Sequence, residues 1–458
     1  MKKLNDFHKL FFIGVAGSGM SALAQYAAAS GIVTSGSDRF FNNNATPEIR
    51  EKLIAAGIQC YPQDGSGLSQ DTDAVIVSTA IEETVNEIVL ARKFGIPIIK
   101  RSALLALVAE SRKTIAIAGT SGKSTTTAML FHILSSMGYE PGIISGAGLI
   151  DLMEKGKVGN ALRGNGEWLI IEADESDGSI IQYKPHTGVL LNIEKDHQEI
   201  DQLMELFSVF KQNARGRFIV NRSHPLAKLF SVCAEQDFGI NKESGAGFIA
   251  SEFIQDGFIS HFKINDVPFS LHQPGEHNME NALAATCVSA QIGISLNDIA
   301  TVLKNYKGIY RRHQVLGQKN GILVIDDYAH NPVKCAAAIR ACYGLGKKII
   351  AWFQPHGYGP TRFLKNEFVE EISDALRPQD EIWMSEIFYA GGSAIRDISS
   401  LDLIHALQTN HKNAYFVENR NDFLNVVRPH LEKDSVLILM GARDPSLEDF
   451  AKHIFYDL

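Results

Sequence analysis

At 458 residues, with 45% hydrophobic and 21% charged residues, the chain has a globular composition and a length suited to about three domains. A formal net charge of -8 argues against a general nucleic-acid binder, which carries a basic excess, but leaves room for a local basic pocket. The five cysteines (Cys60, Cys233, Cys287, Cys335, Cys342) are scattered and form no CxxC pair, as expected of reduced thiols in the cytoplasm; no signal peptide and no bilayer-spanning segment is expected.

The first predicted unit, residues 9–31, reads KLFFIGVAGSGMSALAQYAAASG: an apolar strand, a glycine turn and a helix. Gly17, Gly19 and Ala22 form G-x-G-x-x-A, with Asp38 about 20 residues on, which matches a dinucleotide fingerprint. Such a loop recognises pyrophosphate geometry, so a nicotinamide cofactor and another diphosphate fit equally, and a ligand-free tight turn is the bland alternative.

The second unit, residues 113–138, carries the sharpest chemistry in Gly119, Thr120, Ser121, Gly122, Lys123 and Ser124. A glycine turn after a strand lets backbone N–H groups approach phosphates, and the following helix N-terminus favours negative charge. Lys123 can neutralise terminal phosphate oxygens and Ser124 can hold Mg²⁺. The first glycine of GxxxxGK[ST] falls on Ile117, so the motif is a shortened variant.

Further on, Glu172, Asp174 and Asp177 follow the buried strand WLII, where carboxylates beside a phosphate loop suit a hard cation. The alternative is a solvated acidic loop. Asn192, Asp196 and His197 end the next strand, a place for metal or phosphate work, although a lone histidine is usually structural. Residues 247–271 alternate with period two and read as hairpins attached to the middle domain. Asn278 and Asn281, on residues alone, fit caps of a helix beginning at NALAATCVSA. Arg311 and Arg312 fit surface charge, and Asp326 or Asp327 a strand-end turn. Residues 321–344 repeat the strand–turn–helix pattern, and Trp352 and Phe353 read as sheet core. Short apolar strands alternating with helices imply an α/β protein with parallel sheets covered by helices.

The motifs GTSGKSTTTA, EADESDGS, NIEKDH, GEHNMENALAA, YRRHQ, DDYAHNP and FQPH stand in the order and approximate spacing of the Mur ligase family, which the chain resembles over essentially its whole length. VAGSGMSALA, GSD and VSTAI look most like the branch that adds L-alanine to UDP-N-acetylmuramate. The resemblance implies three domains: a Rossmann-like UDP-sugar domain (residues 1–110), a central P-loop ATPase-type domain with the added hairpins (111–306), and a Rossmann-like C-terminal domain closing over ATP and amino acid (307–458). It implies ATP and Mg²⁺, a UDP-N-acetylmuramate-like substrate and an amino acid, no nucleic acid, no membrane insertion, and a monomer or homodimer.

Carried over residue by residue, the ATP set is Gly119, Thr120, Ser121, Gly122, Lys123, Ser124 and Thr125, with His277, Asn278 and Asn281 at the adenine end and Arg312 and Asp327 on the nucleotide side. Ser124, Glu172 and His197 match metal ligands. Lys123, His330 and Arg362 match catalytic positions, the last two at the amino acid and acyl phosphate. Gly17, Ser18, Gly19, Met20, Ser37, Asp38, Ser78 and Thr79 would face the UDP-sugar. The implied chemistry activates a carboxylate as an acyl phosphate, which an amino group then attacks.

The chain departs from that branch at three places. Ser121 and Ser124 replace histidine and threonine, and DDYAHNP replaces DDYGHHP. Gly357 stands where an arginine is expected, with a Gly-Pro inserted before Thr361 and Arg362. An arginine fork grips a carboxylate bidentately and glycine cannot, so the incoming amino acid stays open. A ligase of cell-wall recycling that attaches a whole peptide, a nicotinamide-dependent oxidoreductase and a binding-only paralogue are the other readings.

Overall fold

The computed structural model describes residues 3–42, 47–79, 81–195, 198–389, 395–444 and 446–458. They form two compact units: Met1–Ser251 with Lys263–Phe269 and Glu280–Ile309, and Glu252–Phe262 with Ser270–Met279 and Tyr310–Leu458.

The first unit holds two sheets. The N-terminal one orders its five parallel strands Ile58–Pro62, Val33–Asp38, Lys9–Ile13, Ala74–Val77, Ile98–Lys100. Lys9–Ile13 sits between strands reached in opposite directions, so the turns after Ile13 and Val77 border one crevice, the place where open α/β sheets bind ligands. The central sheet runs Arg217–Val220, Thr187–Leu190, Lys113–Ala118, Trp168–Ala173, Gly142–Ile144, Ala161–Leu162, with only the last pair antiparallel. The strand before the phosphate loop therefore lies between the strands that end in EAD and in Asn192.

These two sheets share one hydrophobic cluster running from Leu4 and Phe12 to Phe207 and Phe230. A buried polar contact ties them as well. Asn160 donates to Ser18 O at 2.8 Å and accepts from Gln25 Nε2 at 2.8 Å. Buried amides are tolerated where their hydrogen bonds are met, and here they fix where the first helix starts.

The second unit is built on a six-stranded sheet ordered Gln314–Lys319, Ile322–Asp327, Ser435–Gly441, Lys348–Gln354, Glu381–Met384, Asn413–Phe416, antiparallel only at its first pair. Trp352 and Phe353 are buried in it, as their sequence setting indicates, with Trp352 Nε1 donating to Ser385 Oγ at 3.1 Å. The period-two stretch forms strands Phe248–Asp256, Ile259–Ile264 and Val267–Leu271, consecutive neighbours in a small sheet with Phe238–Ile240. Among the described residues no helix is long and apolar enough to cross a membrane.

Candidate active site

The phosphate loop follows strand Lys113–Ala118 and opens helix Lys123–Ser136. Gly122 adopts φ +82°, and a Cβ there would lie 2.4 Å from Asn281 Oδ1, so both backbone and space demand glycine. Asn192, at the neighbouring strand end, holds the loop open. Its Oδ1 accepts from Ser121 N at 2.8 Å and Thr120 Oγ1 at 3.0 Å, and its Nδ2 donates to Ser121 O at 3.2 Å. Lys123 Nζ donates to Gly119 O and to Glu175 Oε2, each at 2.7 Å, with Asp174 3.7 Å away. Burial favours the neutral amine, but Glu175 and Asp174 outweigh it and hold the Lys123 pKa above its ordinary value. Thr125 lies in the first helical turn. A fixed cation at a helix N-terminus is a phosphate-binding arrangement.

Glu172 faces this loop. It accepts from Ser124 Oγ at 2.9 Å on one oxygen, and from Ser145 Oγ at 2.6 Å and Gly146 N at 2.7 Å on the other. The strand-end carboxylate is thus clamped rather than part of a solvated loop. A hydroxyl beside a carboxylate suits Mg²⁺, which takes one or two protein oxygens and fills its shell with phosphate and water. Among the described residues no group of three or more His, Cys, Asp or Glu side chains is placed to hold a metal ion. His197 and Asp196 lie outside them.

In the N-terminal crevice, Gly17 N closes the turn on Gly14 O at 3.0 Å, and helix Ser18–Ala29 begins there. Asp38 is committed to the turn: its carboxylate accepts from Ala16 N and Phe40 N, each at 3.0 Å. Met20 is buried in the core, so only its backbone faces the crevice. Ser37 is fully buried with an unpartnered hydroxyl, while Ser78 and Thr79 follow the adjacent strand. Arg101, absent from the sequence-derived set, lies where a Cβ on Gly19 would be 3.1 Å from its Nη1. It places a cation at the glycine turn.

In the second unit, Asp327 accepts from His313 N at 2.6 Å and Ala329 N at 2.7 Å, and burial pushes its carboxyl pKa up. The Arg312 guanidinium lies 5.1 Å from the Tyr328 ring centroid. Arg311 is not surface charge. It grips Asp326 through Nε at 2.8 Å and Nη2 at 3.1 Å, because its left-handed backbone (φ 53°) turns it into the sheet edge. His330 Nδ1 donates to Tyr328 O at 2.8 Å, leaving Nε2 as an acceptor; burial and Lys334 hold the ring neutral. Arg362 Nη2 donates to Ile395 O at 3.1 Å and pairs with Asp397.

Asn278 and Asn281 are not helix caps. The helix spans Glu276–Ile292, starting earlier than the apolar pattern suggests because Gly275 (φ 96°) turns the chain into it. Asn278 Nδ2 instead donates to Pro274 O at 2.8 Å, and Asn281 Oδ1 accepts from Thr126 Oγ1 at 3.1 Å. Burial holds His277 and His313 at pKa values of about 4, against 6.5 when solvated. Between these values the unfolded chain binds more protons than the native one, so stability rises with pH across that window. The stability of the second unit toward urea, followed by Trp352 and Trp383, is expected to fall as pH drops from about 6.5 to 4, and His313→Gln should flatten that loss. Equal slopes in parent and variant would refute this.

Sequence reasoning missed Ser145, Glu175 and Arg101 as site-forming residues; it placed Asn192 at a strand end suited to metal or phosphate work, but not its side-chain bonds to the loop. For Glu175 a signal existed, since it sits inside EADESD, whereas Ser145 follows strand Gly142–Ile144 and reaches Glu172 only through the pairing of that strand with Trp168–Ala173.

Comparison with known proteins finds the Mur ligase family catalytic domain at residues 9–113, the Mur ligase middle domain at 117–289, and the Mur ligase glutamate ligase domain at 311–443. A UDP-N-acetylmuramate–L-alanine ligase of Carboxydothermus hydrogenoformans is 31% identical over 456 residues, covering 96% of this chain and 95% of that protein. Among solved structures, the UDP-N-acetylmuramate–alanine ligase of Thermotoga maritima aligns with TM-score 0.78 at 24% identity over 98% of each chain. A murein peptide ligase of Psychrobacter arcticus aligns with TM-score 0.69 at 21% identity, again over 98% of each. At these identities the two structures show a shared fold.

Proposed function

Because this chain belongs to the Mur ligase family of ATP-dependent amide ligases, we propose that it joins L-alanine, or a similarly small amino acid, to the lactyl carboxylate of UDP-N-acetylmuramate. The reaction serves peptidoglycan precursor synthesis in the cytoplasm. The observation that carries this reading is the phosphate loop: a cationic Lys123 beside a helix N-terminus, with Ser124 and Glu172 adjacent. The full-length likeness to an L-alanine-adding ligase supports the substrate.

The lactyl carboxylate oxygen attacks the γ-phosphorus of ATP, the bond to ADP breaks, and an acyl phosphate forms. Lys123 draws negative charge from the transferring phosphoryl group, where positioning and electrostatics supply most of the catalysis. Ser124 and Glu172 would hold Mg²⁺, with His197 as the family's third ligand; the ion neutralises phosphate oxygens when bound. Asn192 keeps the loop in register. In the N-terminal domain Gly17, Ser18, Gly19, Ser78, Thr79 and Arg101 receive the UDP-sugar, while Asp38 and the Ser37 carbonyl, which accepts from Gly14 N and Val15 N, shape the turn. His277, Asn278, Asn281, Arg312 and Asp327 serve the nucleoside. The amine then attacks the acyl carbon, phosphate leaves, and the neutral Nε2 of His330 takes the proton released; Arg362 serves the acyl phosphate.

A second reading, a ligase attaching a whole peptide to UDP-N-acetylmuramate, is favoured by Gly357, which leaves that position without a side chain. Release of ADP with UDP-N-acetylmuramate and a panel of amino acids and short peptides separates the two. Turnover with L-alanine is the expected result. Turnover only with peptides selects the second reading, and none with any acceptor overturns both.

A further inference from the structure

We propose that Arg396 grips the carboxylate of the incoming amino acid, doing the work of the arginine absent at position 357; this rests on the ligase reading above. Gly357 has φ +74° and ends at a short helix, Tyr358–Phe363, in which Pro360 would lie 3.3 Å from a Cβ at 357. A side chain there is strained, so a carboxylate grip must come from another element.

The geometry supplies one. The segment after strand Glu381–Met384 runs beside the FQPH motif: Gly357 N donates to Phe388 O at 3.0 Å and Phe388 N to Pro355 O at 2.8 Å. That register brings the Tyr389 and Tyr358 rings to 6.1 Å. Arg396 lies over both, its Cζ 4.1 Å from the Tyr389 centroid and 5.8 Å from that of Tyr358. Arg362 brackets it, bonding Ile395 O on one side and Asp397 on the other. Asp397 is thereby occupied, and among the described residues no carboxylate pairs with Arg396, which is exposed.

A guanidinium stacked on an aromatic face keeps its N–H edge free for a bidentate carboxylate, and the stacking limits the entropy lost on binding. On the other side of the motif, the His356 ring lies 5.6 Å from that of His330, the group assigned to the amine. The residue that precedes Gly357 in the motif therefore packs beside the group assigned to the amine. Arg362 acts as a positioning residue for this loop in addition to its proposed contact.

The test compares an acceptor with its amide, beginning with L-alanine and L-alaninamide, by ADP release with UDP-N-acetylmuramate. Arg396→Ala is expected to raise KM for L-alanine about tenfold or more, the scale of a lost charge-assisted hydrogen-bond pair. The KM for ATP should stay within about twofold, and kcat/KM for L-alaninamide should barely change. Arg396→Lys, which keeps the charge without the fork, should recover part of the loss. If the parent turns over and Arg396→Ala keeps the same preference for acid over amide, this inference falls and the ligase reading stands. No turnover by the parent with any acceptor sinks both.

Discussion

Lys123→Ala is expected to lower the rate of ADP release by about 10²–10³-fold, the scale seen when one preorganised transition-state donor is removed. The side chain is mostly buried (14% exposed), held by Gly119 O and Glu175, and kept charged by its acidic neighbours. The substitution also strands the Glu175 carboxylate, which is only 4% exposed, without its cation. Leaving a buried charge unpaired costs about 3–5 kcal/mol, so loss of activity could reflect unfolding alone. The double variant Lys123→Ala/Glu175→Gln separates the two effects. Its thermal midpoint should return toward that of the parent while ADP release stays low. Parent-like turnover by Lys123→Ala would remove the central support for phosphate binding at this loop.

The second large effect is structural. Arg311→Met is expected to destabilise the C-terminal unit by about 3–5 kcal/mol, because Asp326 is buried and loses a bidentate partner. Arg311 Nη2 also donates to Gly441 O at 3.2 Å, so one guanidinium joins the ends of two adjacent strands, Ile322–Asp327 and Ser435–Gly441. Its own carbonyl accepts from Tyr328 N at 2.7 Å, which sets the ring over which Arg312 lies. Urea unfolding in a Trp168→Phe background reports the unit through Trp352 and Trp383. A change within about 1 kcal/mol would show that the pair is worth no more than an exposed ion pair. Arg311→Met/Asp326→Asn should regain part of the loss, since it removes the stranded charge.

The sequence already contained the strand–glycine turn–helix units, the phosphate loop and the buried strands, because each depends on residues a few positions apart. Backbone conformation, phosphate approach and alternation of apolar residues are local properties. The same locality explains the misreadings. An asparagine near an apolar helical run looks like a cap, yet Gly275 had already started that helix, and Asn281 bonds Thr126, 155 positions away in the chain. Two arginines in a row look like surface charge until the fold puts Asp326 against one of them.

What tertiary structure decided is which strand ends stand side by side. Asn192 reaches Ser121 across 71 positions, Glu172 reaches Ser124 across 48, and Asn160 reaches Gln25 across 135. Sheet order sets these encounters, and the energy of packing whole elements sets sheet order. A buried donor or acceptor must be satisfied wherever the chain brings it. Local sequence therefore determined which groups are candidates to bind phosphate, and the fold alone determined what holds those groups in place.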